Sequence, residues 1–148
     1  MAQSLTKNYI HLIFATRDRA ELLRKNDLPT IHRYIAGTLS HMGCPAIKVG
    51  GTTNHIHALF VLNKTLPLSK VVEDMKRNTS RWVKELNACY KVFSWQHGYG
   101  AFSVSQSKVD VVKRYIENQD EHHKQVSFTD ELKRFLDEYG ITYDEQYL

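Results

Sequence analysis

His55, Ile56 and His57 form the first pattern in the sequence with chemical content. The run from His55 to Leu62 (HIHALFVL) reads as an apolar β-strand. Side chains two apart on a strand share a face, with Cα atoms about 6.5–7 Å apart, so both imidazoles can reach one ion while Ile56 turns the other way. Imidazole suits several transition metals, and two histidines without thiolates leave coordination positions open. The second pattern is Tyr115-Ile116-Glu117-Asn118-Gln119. On a helix, Tyr115 and Gln119 share a face, and His122 lies one turn further along it. A tyrosine hydroxyl with the ordinary pKa of about 10 is a poor nucleophile. It becomes useful toward phosphate when a metal neutralises the phosphate charge and the phenol proton has an acceptor. The Gln119 carbonyl oxygen is a hard donor that would complete a His-His-Gln set. Each pattern also has an ordinary alternative: two histidines on a half-exposed strand face, and a tyrosine on the inner face of an amphipathic helix, one of eight tyrosines in the chain.

The elements that must position these residues follow from periodicity. Tyr9 to Ala15 (YIHLIFA) reads as a strand. Pro29 opens a helix with Ile31, Tyr34, Ile35, Leu39 and Met42 on one stripe, ended by Gly43. Ala46 to Val49 is a short strand, Gly50-Gly51 begins a turn, and the strand at His55 completes a hairpin. Leu68 to Leu86 is a long amphipathic helix, with Val71, Val72, Met75, Thr79, Trp82, Val83 and Leu86 facing inward. Phe93 to Trp95 and Ala101 to Ser105 read as strand pieces, Lys108 to Gln125 as a third helix, Thr129 to Tyr139 as a fourth, and Ile141 to Leu148 as irregular. The order is β-α-β-β-α-β followed by helices. It predicts an α+β, ferredoxin-like (RRM-like) sandwich: an antiparallel sheet with helices on one face, plus C-terminal helices carrying the tyrosine. That fold serves many functions and decides none.

With 148 residues, the chain suits a single domain over residues 1–148. Its 42% hydrophobic and 24% charged content is that of an ordinary globular protein, and the net charge of +4 is compatible with a nucleic-acid partner. Cys44 and Cys89 lie far apart and form neither a disulfide framework nor a zinc motif. Residues 1–19 lack a signal-peptide pattern, and no run approaches the roughly 20 apolar residues of a membrane span, so the expected location is the cytoplasm.

Taken together, NHIHALF, the basic helix ending RNTSRWVKEL, the segment WQHGYGAFSVSQS, and VVKRYIENQDEHH followed by DEQYL closely resemble the single-tyrosine, IS200-like transposases of the smallest bacterial and archaeal insertion sequences. That family belongs to the His-hydrophobic-His (HUH) nucleases. The resemblance runs from about Tyr9 to Leu148, and the joint occurrence of both motifs in order is far more specific than either alone. It implies His55, His57 and Gln119 as metal ligands, Tyr115 as nucleophile, and Mg²⁺ or Mn²⁺ as the ion. It further implies single-stranded DNA cleavage through a 5′-phosphotyrosine, hairpin-bearing element ends as substrate, and a homodimer acting at the nucleoid. Lys76, Arg77, Arg81, Lys113 and Arg114 are candidate phosphate contacts, and Trp95 and Tyr99 candidate stacking residues, although core or dimer packing suits the two aromatics better. His122 and His123 offer alternative ligands or proton acceptors, against the simpler reading as helix-surface histidines.

Three other functions compete. A related strand-nicking enzyme, including a domesticated repeat-associated one, would share all of this chemistry. A non-catalytic RRM-like binding module would place aromatic rings on its central strands, where this chain has two histidines. A different metal phosphoesterase would need a further His-x-Thr/Ser motif or alternating histidine, but Ala58 and Leu59 follow His57.

Overall fold

The computed structural model describes residues 2–148. Four strands, β1 (Tyr9–Ala15), β2 (Ala46–Thr52), β3 (His55–Val61) and β4 (Gly100–Val104), form one antiparallel sheet in the order β2-β3-β1-β4. Helices α1 (Leu28–His41) and α2 (Leu68–Leu86) complete the expected β-α-β-β-α-β order. Three further helices follow: α3 (Val109–Glu117), α4 (Gln119–His122) and α5 (Phe128–Glu138).

Strand alternation sorts the side chains onto two faces. Leu12, Phe14, Ile56, Ala58 and Phe60 meet the apolar stripes of α1 and α2, including Ile31, Ile35, Val71, Met75 and Val83, in the main core. Burying each of the larger side chains among them contributes about 1.5–3 kcal/mol. Ile13, Ala15 and Phe102 point the opposite way and form a second cluster with Phe128 and Leu136 of α5. The C-terminal helices therefore cover the face that α1 and α2 leave open. The chain end joins them: Tyr143 and Leu148 pack on the second cluster, and residues Glu145–Tyr147 form a 3₁₀ turn.

Two expectations are corrected in a way that matters for the site. β2 does not stop at Val49. It runs through Gly50 and Gly51 to Thr52, with Gly50 opposite His57 and Gly51 opposite Ile56, and the hairpin turns at Thr53-Asn54. Glycine inside a strand marks a close approach of another backbone, and α3 supplies it here. The helix expected over Lys108 to Gln125 breaks at Asn118 (φ −98°, ψ 17°). The Asn118 amide still bonds back to the Arg114 and Tyr115 carbonyls, closing α3. Gln119 then starts a new turn, with its side chain buried under the sheet. Of the two strand pieces expected after α2, only the second is a strand; Trp95 makes a single bridge to Thr16.

His32 of α1 has a buried ring nitrogen, Nε2, with no hydrogen-bond partner among the described residues. Burial, aided by the Lys48 charge, lowers its pKa from 6.5 to about 4. The native state thus binds fewer protons than the unfolded chain between those values, so the contribution is fully present above pH 6.5 and is lost as pH falls toward 4. Urea unfolding of metal-free His32→Leu at pH 7 and pH 4.5 is expected to show a shallower loss of stability than wild type, by up to about 1.4 kcal/mol per pH unit. Identical slopes would contradict the assignment.

Candidate active site

The histidine pair sits on β3, flanked by β2 and β1. His55 and His57 are fully buried, because α4 and α5 close over them. The Phe128 ring stacks on His55 at 4.5 Å between centroids. Asn54 donates from Nδ2 to the Arg19 carbonyl, which turns its Oδ1 toward His55 Nδ1 at 2.8 Å. That oxygen accepts only, so His55 carries its proton on Nδ1 and presents a lone pair at Nε2. His57 Nδ1 lies 2.8 Å from Nε2 of His11, a buried histidine on β1. Such outer partners set the tautomer and aim of metal-binding imidazoles.

Gln119 Oε1 lies 2.9 Å from His55 Nε2, and the Gln119 amide donates to Glu131 Oε2 at 3.1 Å. With the amide committed to the carboxylate, the Gln119 oxygen faces the His55 lone pair: two acceptors confront each other at hydrogen-bond distance. A proton on His55 would resolve the conflict, but burial first, and the neighbouring His57 second, hold its pKa at about 3. A divalent cation resolves it as well. Neighbouring ligands on bonds of about 2.1 Å stand about 3.0–3.4 Å apart in octahedral or tetrahedral geometry, so the spacing fits. One ligand atom from each of His55, His57, His123 and Glu131 also lies within 4.8 Å of every other. The donors fit a divalent metal.

Glu131 was not legible as a site residue in the sequence. Ser127 caps α5 by accepting from the Asp130 amide, so the helix starts one residue earlier than expected. Glu131 then falls three residues after Phe128 and four before Phe135, within the stripe that packs inward. A lone acid at an apolar-stripe position was the available signal. Glu131 is 1% exposed. Its Oε1 lies 3.0 Å from His57 Nε2, 3.7 Å from His55 Nε2 and 3.2 Å from His123 Nε2. Its Oε2 accepts the Tyr115 hydroxyl and lies 3.2 Å from His122 Nε2. Burial opposes its ionisation, but contacts with His123, His57 and Tyr115 outweigh that and hold the carboxyl well below the usual range.

Tyr115, near the end of α3, is half-buried with its ring 5.7 Å from that of His57 in the same chain. The break at Asn118 does not separate it from Gln119; both converge on Glu131. Burial, with the Glu131 hydrogen bond and charge, pushes the phenol well above its ordinary range. Burial also lowers His11 to about 3, keeping it neutral.

Gly50 fixes where α3, and so Tyr115, can lie. A Cβ there would come within 2.7 Å of the Ile116 carbonyl oxygen and 2.8 Å of its Cγ2. Gly50→Ala is expected to displace α3 by several tenths of an ångström and to cut the protein's activity about 100-fold, the scale of a misplaced reacting group, while the melting temperature falls by only a few degrees. Wild-type activity in that variant would show that the contact does not set the position of Tyr115.

The candidate phosphate contacts are placed as follows. The Lys76 ammonium donates to the Gln96 and Gly98 carbonyls at 2.7 and 2.9 Å, and burial lowers its pKa to about 8. Arg77 pairs within α2 with Glu73 and Asp74. Arg81 and Arg114 are exposed, and Lys113 is half-buried on α3. Trp95 is in the core, and Tyr99 is exposed.

The chain resembles two solved structures in fold. One, a Deinococcus radiodurans R1 protein solved as a candidate transposase, is 19% identical with a TM-score of 0.62, covering 80% of this chain and 98% of its own. The other, a REP-associated tyrosine transposase bound to a REP hairpin, is 13% identical with a TM-score of 0.61, covering 85% of this chain and 74% of its own. No curated protein matches the chain in sequence. No helix among the described residues is long and apolar enough to cross a membrane. Residues 4–119 match the profile described as "Transposase IS200 like", a span that includes the histidine pair, Tyr115 and Gln119, and the chain therefore belongs to the IS200-like transposase family, enzymes that act on DNA.

Proposed function

We propose that this transposase cleaves and rejoins single-stranded DNA with Tyr115 as covalent nucleophile, beside a divalent cation held by His55, His57 and Gln119. The observation that carries the reading is the contact between the Tyr115 hydroxyl and a buried carboxylate whose other oxygen touches His57. Nucleophile and donor set occupy one cluster, although 58 residues (115 − 57) separate Tyr115 from His57 in sequence. The oxygen donors suit Mg²⁺ and the two imidazoles Mn²⁺. When bound, the cation supplies positive charge that polarises the scissile phosphate and offsets the charge developing on it.

The chain's own groups do the rest. His11 and Asn54 hold the two imidazoles with Nε2 facing inward. Tyr115 attacks in line: its oxygen bonds to phosphorus, the bond to the 3′ oxygen breaks, and a 5′-phosphotyrosine and a free 3′-hydroxyl result. The phenol proton leaves toward acceptors already facing it, Glu131 Oε2 and His122 Nε2, the latter at 3.4 Å. A second 3′-hydroxyl then attacks the phosphotyrosine and restores a continuous strand without ATP.

The substrate we assign is a hairpin-bearing single strand, consistent with the REP hairpin on the fold relative, and the working unit is a homodimer in the cytoplasm at the nucleoid. Lys113 and Arg114, beside Tyr115, and Arg81 on α2 are the first candidates to meet phosphate. Lys76 and Arg77 would exchange their present partners for it.

The test is incubation with labelled single-stranded DNA carrying hairpins from the flanking genome, with Mn²⁺ or Mg²⁺, followed by a denaturing gel and peptide mapping. A metal-dependent covalent band mapping to Tyr115 is expected. Binding on native gels without any covalent species would favour a non-catalytic role.

A further inference from the structure

We propose that Glu131 is an anionic ligand of the cation and that its second oxygen tethers the nucleophile, so that one carboxylate bridges metal and Tyr115. The inference rests on the metal reading of the histidine pair and adds to it a ligand from α5, a helix outside the residues that match the family profile.

The two oxygens of Glu131 face different neighbours. Oε1 looks at ring nitrogens: His57 Nε2 at 3.0 Å, His123 Nε2 at 3.2 Å and His55 Nε2 at 3.7 Å. The His55 nitrogen among them bears a lone pair, because its Nδ1 proton is committed to Asn54. Oε2 takes the Tyr115 hydroxyl and the Gln119 amide, with His122 Nε2 at 3.2 Å on its outer side. A bridging carboxylate would use this division, with Oε1 among the imidazole nitrogens that would share the ion and Oε2 holding the hydrogen-bond donors. An ionised carboxylate excluded from water also needs compensating positive charge, and its uncompensated cost is several kcal/mol. Among the described residues, no lysine or arginine forms an ion pair with Glu131. A divalent cation at the Oε1 side would supply that charge and leave Oε2 free to orient the phenol.

The test measures Mn²⁺ affinity without DNA, from the free-Mn²⁺ electron paramagnetic resonance signal, for wild type, His57→Ala, Glu131→Gln and Tyr115→Phe. Glu131→Gln keeps the shape and an acceptor for Tyr115 but removes the charge. It is expected to weaken Mn²⁺ binding at least about tenfold, as His57→Ala does, while Tyr115→Phe changes it less than about threefold. Loss in His57→Ala with unchanged affinity in Glu131→Gln would overturn the Glu131 proposal and leave the metal reading standing. Absence of Mn²⁺ binding in wild type would overturn both. Loss in Tyr115→Phe equal to that in Glu131→Gln would make the tyrosine itself a ligand and overturn the bridge. Should Glu131→Gln fail to fold, hydrogen exchange of wild type decides: Mn²⁺ is expected to slow exchange of amides in residues 128–138, and no change there would overturn the proposal.

Discussion

Tyr115→Phe is expected to abolish the covalent protein–DNA species and to reduce cleavage at least about 10⁴-fold, the scale on which removal of a covalent nucleophile acts. Hairpin binding on a native gel is expected to change less than about threefold. The contrast follows from what the hydroxyl touches. Its oxygen bonds only within the cluster, to Glu131 and, at 3.4 Å, to His122. The ring packs against His11, His57 and Phe135, with centroids 6.3, 5.7 and 5.9 Å away, and phenylalanine keeps those contacts. Glu131 loses one donor but retains the Gln119 amide at 3.1 Å, so the stability cost stays within the roughly 1–3 kcal/mol of one disturbed buried hydrogen bond. Cleavage in Tyr115→Phe above about one tenth of wild type would sink the assignment, because another nucleophile would then be doing the chemistry.

Gly51→Ala is expected to have the largest effect on stability, about 4 kcal/mol or more, the exceptional end of single substitutions. Gly51 has φ +141°, a conformation that side-chain-bearing residues rarely adopt, and its added Cβ would lie 2.2 Å from the His55 carbonyl oxygen and 3.0 Å from the Ile56 Cα. Both obstacles are backbone, so neither can swing aside. The strain falls on the β2–β3 pairing that holds His55 opposite Thr52. With native stabilities of about 5–15 kcal/mol, the variant would melt some 10 °C or more below wild type, or would not accumulate as folded protein. Gly37→Ala provides the matched control. Gly37 lies inside α1 with nothing within 4 Å of its added Cβ, so alanine there is expected to stabilise by about 0.5–1 kcal/mol. Thermal melts of both variants check the pair, and a Gly51→Ala melt within 2–3 °C of wild type would rule out the predicted clash.

The local half of the site was legible because periodicity encodes it. Alternation on an apolar strand puts His55 and His57 on one face, and the structure keeps them there with the expected bounds at His55. The long amphipathic run gives α2 its exact limits, Leu68–Leu86. The joint spacing of the histidine pair with Tyr115 and Gln119 pointed to the family, which the profile match shows. Boundaries failed where a residue's ordinary local meaning was overruled from a distance. Gly50-Gly51 reads as a turn, yet it is strand because α3 lies against Gly50. The run through Asn118 reads as helix, yet it breaks and Gln119 turns into the site.

The sequence by itself determined the order of elements, the shared face of the two histidines, and the residue types able to ligate and attack. Only the tertiary structure decided that this face is sealed from water, that His11 supports His57 from β1, and that Glu131 arrives from α5 to join the histidines to the tyrosine. The physical reason is range. Periods of two and 3.6 residues fix which side chains share a face of one element, whereas the His11–His57 and His57–Glu131 contacts span 46 and 74 residues. The first exists only once β1 has paired with β3, and the second only once the apolar stripe of α5 has been buried against Ile13, Ala15 and Phe102.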